Sequence, residues 1–416
     1  MRFAESVRHF SRIFKDENML REYKISEIEK LKIHGRRTAC LDPLTLFWNG
    51  SGIEMNVRAT VVKLRCYADY SVFEPWIDVL VEGVRYQKRP LEKGINEITI
   101  WQGNAGPGES DIPLRNIKII RDTPAMAADG DTLIRIESVI TDGTFEIVDE
   151  PGHRIEFIGD SITSGEGCMG PVCEQDWNSA CFDAFDNYTY MTSQKLGADY
   201  EVFSQSGYGF MWSWYGNPKE NMPSFYEEVC GLVPAGKACE IGAHEKYDFS
   251  LFEPDIVIIN LGTNDAGAYS LSSHEAARDG GTYSESDYDA ARSMGSDNIH
   301  YLNEKGEIPS EDVAALKNGA KAFLKKVREK RQGAIIIWAY GMLLQDSDII
   351  NIQMTNLLSA AVAEYSKQEN DSKVYYHQLP PTLAGEFGSR SHPGHPAHKK
   401  AAESLVKKIE AILGVR

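Results

Sequence analysis

The stretch Ile155-Glu156-Phe157-Ile158-Gly159-Asp160-Ser161-Ile162 runs from a short apolar segment straight into a Gly-Asp-Ser turn. A run of that length and composition reads as a buried strand, so Ser161 stands where a strand ends and the chain reverses. Open α/β sheets bind their ligands at this edge, outside the carboxyl ends of the strands. Two more polar clusters end strand-like runs: Ser206-Gly207-Tyr208-Gly209, and Gly262-Thr263-Asn264-Asp265 after Asp255-Ile256-Val257-Ile258-Ile259-Asn260-Leu261. His392-Pro393 lies just before the last helical segment.

Outward from that stretch the chain alternates. Strand-like runs at 155–158, 200–204, 255–261, 334–340 and 373–379 alternate with helix-like segments near 187–196, 311–330, 352–368 and 396–413. This rhythm predicts an α/β domain: a doubly wound parallel sheet with helices on both faces. Leu196-Gly197 reads as a helix C-terminus, and Ser310 as the N-cap of the next long helix.

Upstream, from about 38 to 148, the runs are short and punctuated by Gly, Pro, Asn and Asp. They include 45–48, 55–61, 76–81, 96–101 and 116–120, which suits an antiparallel sandwich. Phe3, Val7, Phe10 and Phe14 share one helical face, which predicts a packing helix. The expected division is a helical extension over 1–35, an all-β sandwich over 36–150 and the α/β domain over 151–416. Two stretches break the rhythm, 166–186 and 266–309. Their length and their place beside the reactive edge predict lids or substrate walls, with surface insertions as the alternative.

Bulk properties narrow the function. A chain of 416 residues exceeds what one core usually fills, so two domains are expected. With 61 acidic and 44 basic residues the net charge is −17, which argues against binding nucleic acid or an anionic membrane and favours neutral substrates. The first 20 residues carry Arg2, Glu5, Arg8, Arg12, Lys15, Asp16 and Glu17, so they contain neither a signal-like nor a membrane-spanning apolar stretch, and the cytoplasm is the expected location. Seven cysteines in such a chain are expected to be reduced. Cys168, Cys173, Cys181 and Cys239 lack the two-residue gap of structural zinc motifs, and no metal or cofactor is expected.

A serine hydroxyl needs a base to take its proton and preorganised donors for the oxyanion that forms. Ser161 would supply the nucleophile and, through its own N–H, one donor. Gly207 offers a second N–H with no side chain in the way, the Asn264 amide a third, and His392 the base. Each cluster alone is an ordinary turn sequence. Their order, each at the end of a strand-like run, gives the combination its specificity.

That arrangement resembles the SGNH hydrolases, the GDSL-type esterase superfamily, whose four blocks contribute Ser, Gly, Asn and His in this order. The resemblance implies the flavodoxin-like sheet and assigns Ser161, Gly207, Asn264 and His392 to those roles, with Gly209 a competitor for the second. His392-Pro393 followed by His398 is similar to the terminal His-Pro…Gly-His pattern, with Ala397 in place of the Gly. The family commonly has an Asp three residues before the histidine, and here that position is Ser389. A Ser-His dyad is therefore expected, with His392 oriented by a backbone carbonyl or by a more distant acid such as Glu386.

The sandwich before the α/β domain narrows the resemblance to carbohydrate esterase family 2, in which a jelly-roll precedes the SGNH domain. The segments 38–52 and 79–83 resemble that domain's first strands. This implies removal of acetyl groups from acetylated xylan- or mannan-type saccharides through an acyl-enzyme on Ser161. Tyr208, Trp212 and Trp214 would then stack on the sugar, and His377 and Tyr340 would line the pocket; packing in the core is the competing reading for each. The alternatives are an esterase for other acyl chains, an inactive relative, and a silent scaffold that binds carbohydrate.

Overall fold

The computed structural model describes residues 20–103, 112–276, 300–343 and 348–414. The helix expected over 3–14, and most of the 266–309 stretch, lie outside the described residues.

Period-two alternation builds the amino-terminal half. In Val61–Asp69 the side chains of Val62, Leu64, Cys66 and Ala68 are fully buried while Lys63, Arg65 and Tyr67 face outward. One antiparallel sheet comprises β1 (Arg21–Lys24), β3 (Leu44–Leu46), β5 (Val61–Asp69), β8 (Gly94–Gln102) and β10 (Leu133–Thr141). The other comprises β2 (Lys32–His34), β4 (Gly52–Arg58), β6 (Trp76–Val81), β7 (Val84–Pro90), β9 (Arg115–Arg121) and β11 (Thr144–Glu146). Their inner faces share one core of Leu44, Ile53, Val57, Leu64, Ile77, Ile117, Ile136 and Val139.

Two expectations need correction in this half. Apart from one 3-10 turn at Ile25–Glu27, the described part of the extension placed over 1–35 is not helical: Arg21–Lys24 pairs with β10 and Lys32–His34 with β4, because Ile25 and Ile28 bury themselves in the sandwich core. The run expected over 55–61 is two strands that part at Thr60. There Asp142 accepts the backbone N–H groups of Thr60 and Val61 and turns the chain.

The second half is a five-stranded parallel sheet of β12 (His153–Gly159), β13 (Ala198–Ser204), β14 (Ile256–Asn260), β15 (Ile335–Tyr340) and β16 (Val374–Gln378), ordered β13-β12-β14-β15-β16. Helices cover both faces, so β14 is buried throughout and β12 from Ile155 onward. On one side α2 (Tyr188–Lys195) and α6 (His395–Leu413) pack Tyr188, Ala401 and Leu405 against Phe157 and Ile258. On the other, α4 (Ser310–Lys330) and α5 (Ile349–Gln368) pack Leu316, Phe323, Leu357 and Leu358 against Ile259 and Trp338. Two further helices matter for the site: α1 (Ser161–Ser164) and α3 (Thr263–Ala276). The start of the 266–309 stretch thus continues a helix that begins at Thr263. Ser310 is the first residue of α4 rather than its cap; Pro309, with φ −56° and no N–H, holds the cap position and no side chain bonds there.

Buried charge joins the two halves. Arg36, fully buried, reaches Glu156 on β12 at 2.9 Å and Glu201 on β13 at 3.4 Å, while Arg331 holds the other Glu156 oxygen at 2.7 Å. Removing one member strands its partners in low dielectric. Arg36→Met is therefore expected to lower stability by about 3 kcal/mol, read as a lower midpoint in urea. A second bridge sets Lys88 and Arg85 of β7 among Asp78, Asp122 and Asp183. Burial and the neighbouring Asp122 push the Asp78 carboxyl up to about 9. This cluster, like His34-Glu54-Asp199 with Lys32 and Lys118, already contains its own cations.

Candidate active site

The strand order places the site. From β12 the chain first steps outward to β13, then crosses back over β12 to β14, so the connections leave in opposite directions and open a crevice at the carboxyl ends. Ser161 follows β12, Gly207 follows β13 and Asn264 follows β14, which brings all three to that crevice.

Ser161 opens α1, a single turn whose N-cap Asp160 accepts the Ile162 N–H at 3.0 Å. The first N–H groups of a helix lack intrahelical acceptors, so the Ser161 N–H is available to an oxyanion. Gly207 has φ +81°, the left-handed region that glycine tolerates. The Asn264 amide nitrogen donates to Tyr208 O at 3.0 Å and makes a longer contact of 3.4 Å with Asp160 Oδ2. One side chain thus ties the serine turn to the glycine loop. Gly209, the competing glycine, commits its N–H to Trp212 O at 2.9 Å.

His392 comes from the loop before α6. Its Nε2 lies 2.8 Å from Ser161 Oγ, and its Nδ1 lies 2.7 Å from the backbone oxygen of Arg390. The carbonyl requires Nδ1 to carry the proton, which leaves Nε2 free to accept the one from Ser161. Ser389 instead packs inside, donating to Met169 O at 3.3 Å. Glu386 pairs with Lys400 and takes no part in orienting the ring.

Residues 166–186 are the brace of this loop. A Cβ on Gly167 would stand 2.4 Å from Ser389 O and 2.5 Å from His392 Cβ, so only glycine permits the approach. The His395 N–H donates to Cys168 O, and the Arg390 N–H to Glu174 O at 2.8 Å. On its far side the segment grips the sandwich: Asp183 pairs with Arg85 and Lys88, and Trp177 packs on Phe73 with ring centroids 4.1 Å apart. All seven cysteines are unpaired; Cys168 donates to Asp186 O and Cys239 to Val233 O, so neither is poised as a ligand.

Three site residues had no sequence-level assignment. Asp265 is buried and accepts the backbone N–H groups of Phe210, Met211 and Trp212 at 2.9, 2.8 and 3.3 Å, which fixes the loop behind Gly207. Burial pushes its carboxyl up to about 7, against the pull of those donors. Glu166 and Arg390 form an ion pair at 2.8 Å beside His392. Asp265 was in view, directly after Asn264, but its acceptor role depends on a loop 53 to 55 residues away. Burial, with Asp265 and Glu166 nearby, raises the Asp160 carboxyl to about 8.

Of the aromatic residues expected to hold a sugar, the structure separates one from the rest. Trp212 is buried, stacked on His300 at 3.9 Å and bonded through Nε1 to Asp265 O, and Tyr208 lies in the same core. Trp214 is half-buried and borders Gly207, whose Cβ would stand 3.0 Å from Trp214 Cδ1. Tyr340 is buried against Asn351, and His377 bonds Ser404 on α6 at 2.9 Å. His398 is a core residue that accepts the Tyr188 N–H at 3.3 Å. Burial lowers its pKa to about 3. A cleft of about 930 Å³ bordered by Arg154, Lys330 and Lys373 opens at the opposite end of the strands and contains none of these groups.

A serine at the first strand-to-helix turn, its histidine from the last loop and donors from the two adjacent turns define the SGNH serine-hydrolase architecture. The chain belongs to the GDSL-like Lipase/Acylhydrolase family, whose model matches residues 157–400. An acetyl xylan esterase from the rumen bacterium Butyrivibrio proteoclasticus is 31% identical, with a TM-score of 0.84 over 95% of this chain and 99% of that one. A family two carbohydrate esterase from Clostridium thermocellum, solved with cellohexaose, shares the fold at 20% identity, with a TM-score of 0.72 over 92% of this chain and 99% of that one. An acetylxylan esterase / glucomannan deacetylase of Cellvibrio japonicus is 30% identical over 116 residues. That match takes in 28% of this chain and spans 30% of the relative's length.

Proposed function

We propose that this protein is a carbohydrate O-acetylesterase that removes acetyl groups from xylan- or mannan-type saccharides. The observation that carries the reading is the Ser161 Oγ to His392 Nε2 distance of 2.8 Å, with Nδ1 held by a carbonyl and three donors around the serine. The likeness to an acetyl xylan esterase over nearly the whole chain supports the substrate class.

In this mechanism Ser161 Oγ attacks the acetyl carbonyl while its proton passes to His392 Nε2. The oxyanion is met by the N–H groups of Ser161 and Gly207 and by the Asn264 amide. His392 then gives the proton to the departing sugar oxygen, and water, deprotonated by the same nitrogen, releases acetate.

The test is acetate release from acetylated xylan and glucomannan oligosaccharides, beside a series of chromogenic esters of increasing acyl length. Saccharide activity with a sharp fall beyond acetyl supports the proposal. Faster cleavage of longer acyl chains would support a general esterase instead. Trp214→Ala is expected to raise KM for the saccharides roughly tenfold and to leave the small acetate ester nearly unchanged, because stacking on one aromatic face contributes about 1 kcal/mol or somewhat more.

A further inference from the structure

The site lacks the acid that commonly orients the histidine, yet a buried carboxylate reaches the same ring by another route. Glu166 Oε2 lies 3.9 Å from His392 Nε2, the nitrogen that faces Ser161. Its other oxygen accepts from Arg390 Nε at 2.8 Å. The Arg390 backbone oxygen is in turn the acceptor for His392 Nδ1.

The backbone there is strained. Arg390 has φ +53° and Ser391 φ +56°, two successive non-glycine residues in the left-handed region. Such a conformation persists only where the surroundings dictate it. Here Arg390 is held by Glu166, by Gln175 O at 3.2 Å and by its own N–H to Glu174 O at 2.8 Å. Glu166 is the one charged member of that set, and its loss weakens the hold on the carbonyl that meets Nδ1.

We propose that Glu166 is the positioning acid of this site, replacing the one absent at Ser389: its charge stabilises the imidazolium formed at His392, and its grip on Arg390 aims the carbonyl that orients the ring. The inference rests on the acyl-enzyme reading above. No proton resides on Glu166 during turnover; it moves from Ser161 Oγ to His392 Nε2 and on to the leaving oxygen. Burial would favour the neutral carboxyl, but His392 and Arg390 outweigh it and hold Glu166 below the ordinary carboxylate range. The other groups facing the pair are Asp160 and Ser206 around Glu166, and His395 and His398 of α6 around His392. None of these combines contact with the orienting residue and proximity to Nε2.

Glu166→Gln preserves shape and removes the charge. We expect kcat to fall about 30-fold with KM within about twofold, and the acid limb of the kcat/KM profile to move to lower pH. Unchanged kcat and an unchanged pH profile would overturn the proposal. Because the single change leaves Arg390 without its anion, the double variant Glu166→Gln/Arg390→Gln separates mechanism from folding. It is expected to stay as slow as the single variant, and recovery toward the native rate would overturn the proposal. Slow but measurable labelling of Ser161 in Glu166→Gln by a serine-directed phosphonate supports it. A Ser161→Ala enzyme as fast as the native one would instead sink the acyl-enzyme reading, and the role of Glu166 with it.

Discussion

Ser161→Ala is expected to lower acetate release by about 10⁴-fold or more and to abolish labelling by a serine-directed phosphonate. The hydroxyl is the only atom lost. The Ser161 N–H, Gly207 and Asn264 remain in place, so the residual rate is what the donors and substrate binding alone provide. The fold should tolerate the change, since Ser161 Oγ bonds His392 and alanine is favourable in a helix turn. Thermal unfolding should therefore be nearly unaltered while the rate collapses. A variant that retained a tenth of the native rate would show that another group attacks the ester.

Asn264→Ala is expected to reduce kcat by about 10²- to 10³-fold, with a much smaller change in KM. A donor aimed at the oxyanion acts mainly in the transition state, so its loss appears in kcat. The amide also links Tyr208 O to Asp160 Oδ2. Asn264→Asp should be at least as slow as the alanine variant, because it turns a third oxygen toward two acceptors and toward the oxyanion. If Asn264→Asp matched the native rate, the donor role would be wrong. Steady-state kinetics on a chromogenic acetate ester reads both variants.

Much of this site was legible in the sequence because its parts are local. Ser161, Gly207 and Asn264 each end a strand-like run, and a strand of the parallel sheet declares itself by unbroken apolar character. The five strands of that sheet lie where those runs predicted. Alternating strands speak less clearly: Leu133–Thr141, the centre of one sandwich sheet, whose buried run is interrupted by half-exposed residues, and the largely polar Val84–Pro90, which has no buried residue, were not among the expected strands.

Aromatic residues were the hardest to read. Trp212 and Trp214 are two positions apart and chemically identical, yet one is a core residue bonded to the Asp265 carbonyl and the other borders the donor glycine. Residues 166–186 read as a lid, a substrate wall or a surface insertion and are a brace, because their contacts are with Lys88, Arg85, Ser389 and Arg390, from 94 to 224 positions away.

By itself, then, the sequence determined the parallel sheet and set Ser161, Gly207 and Asn264 just beyond the ends of its strands, through short-range patterns of burial and turn formation. What orients His392 was decided by tertiary structure alone. The answer is a main-chain oxygen on a left-handed residue, held by a carboxylate 224 positions away in the chain. A backbone atom has no letter in a sequence, and only the packing of one loop on another places it.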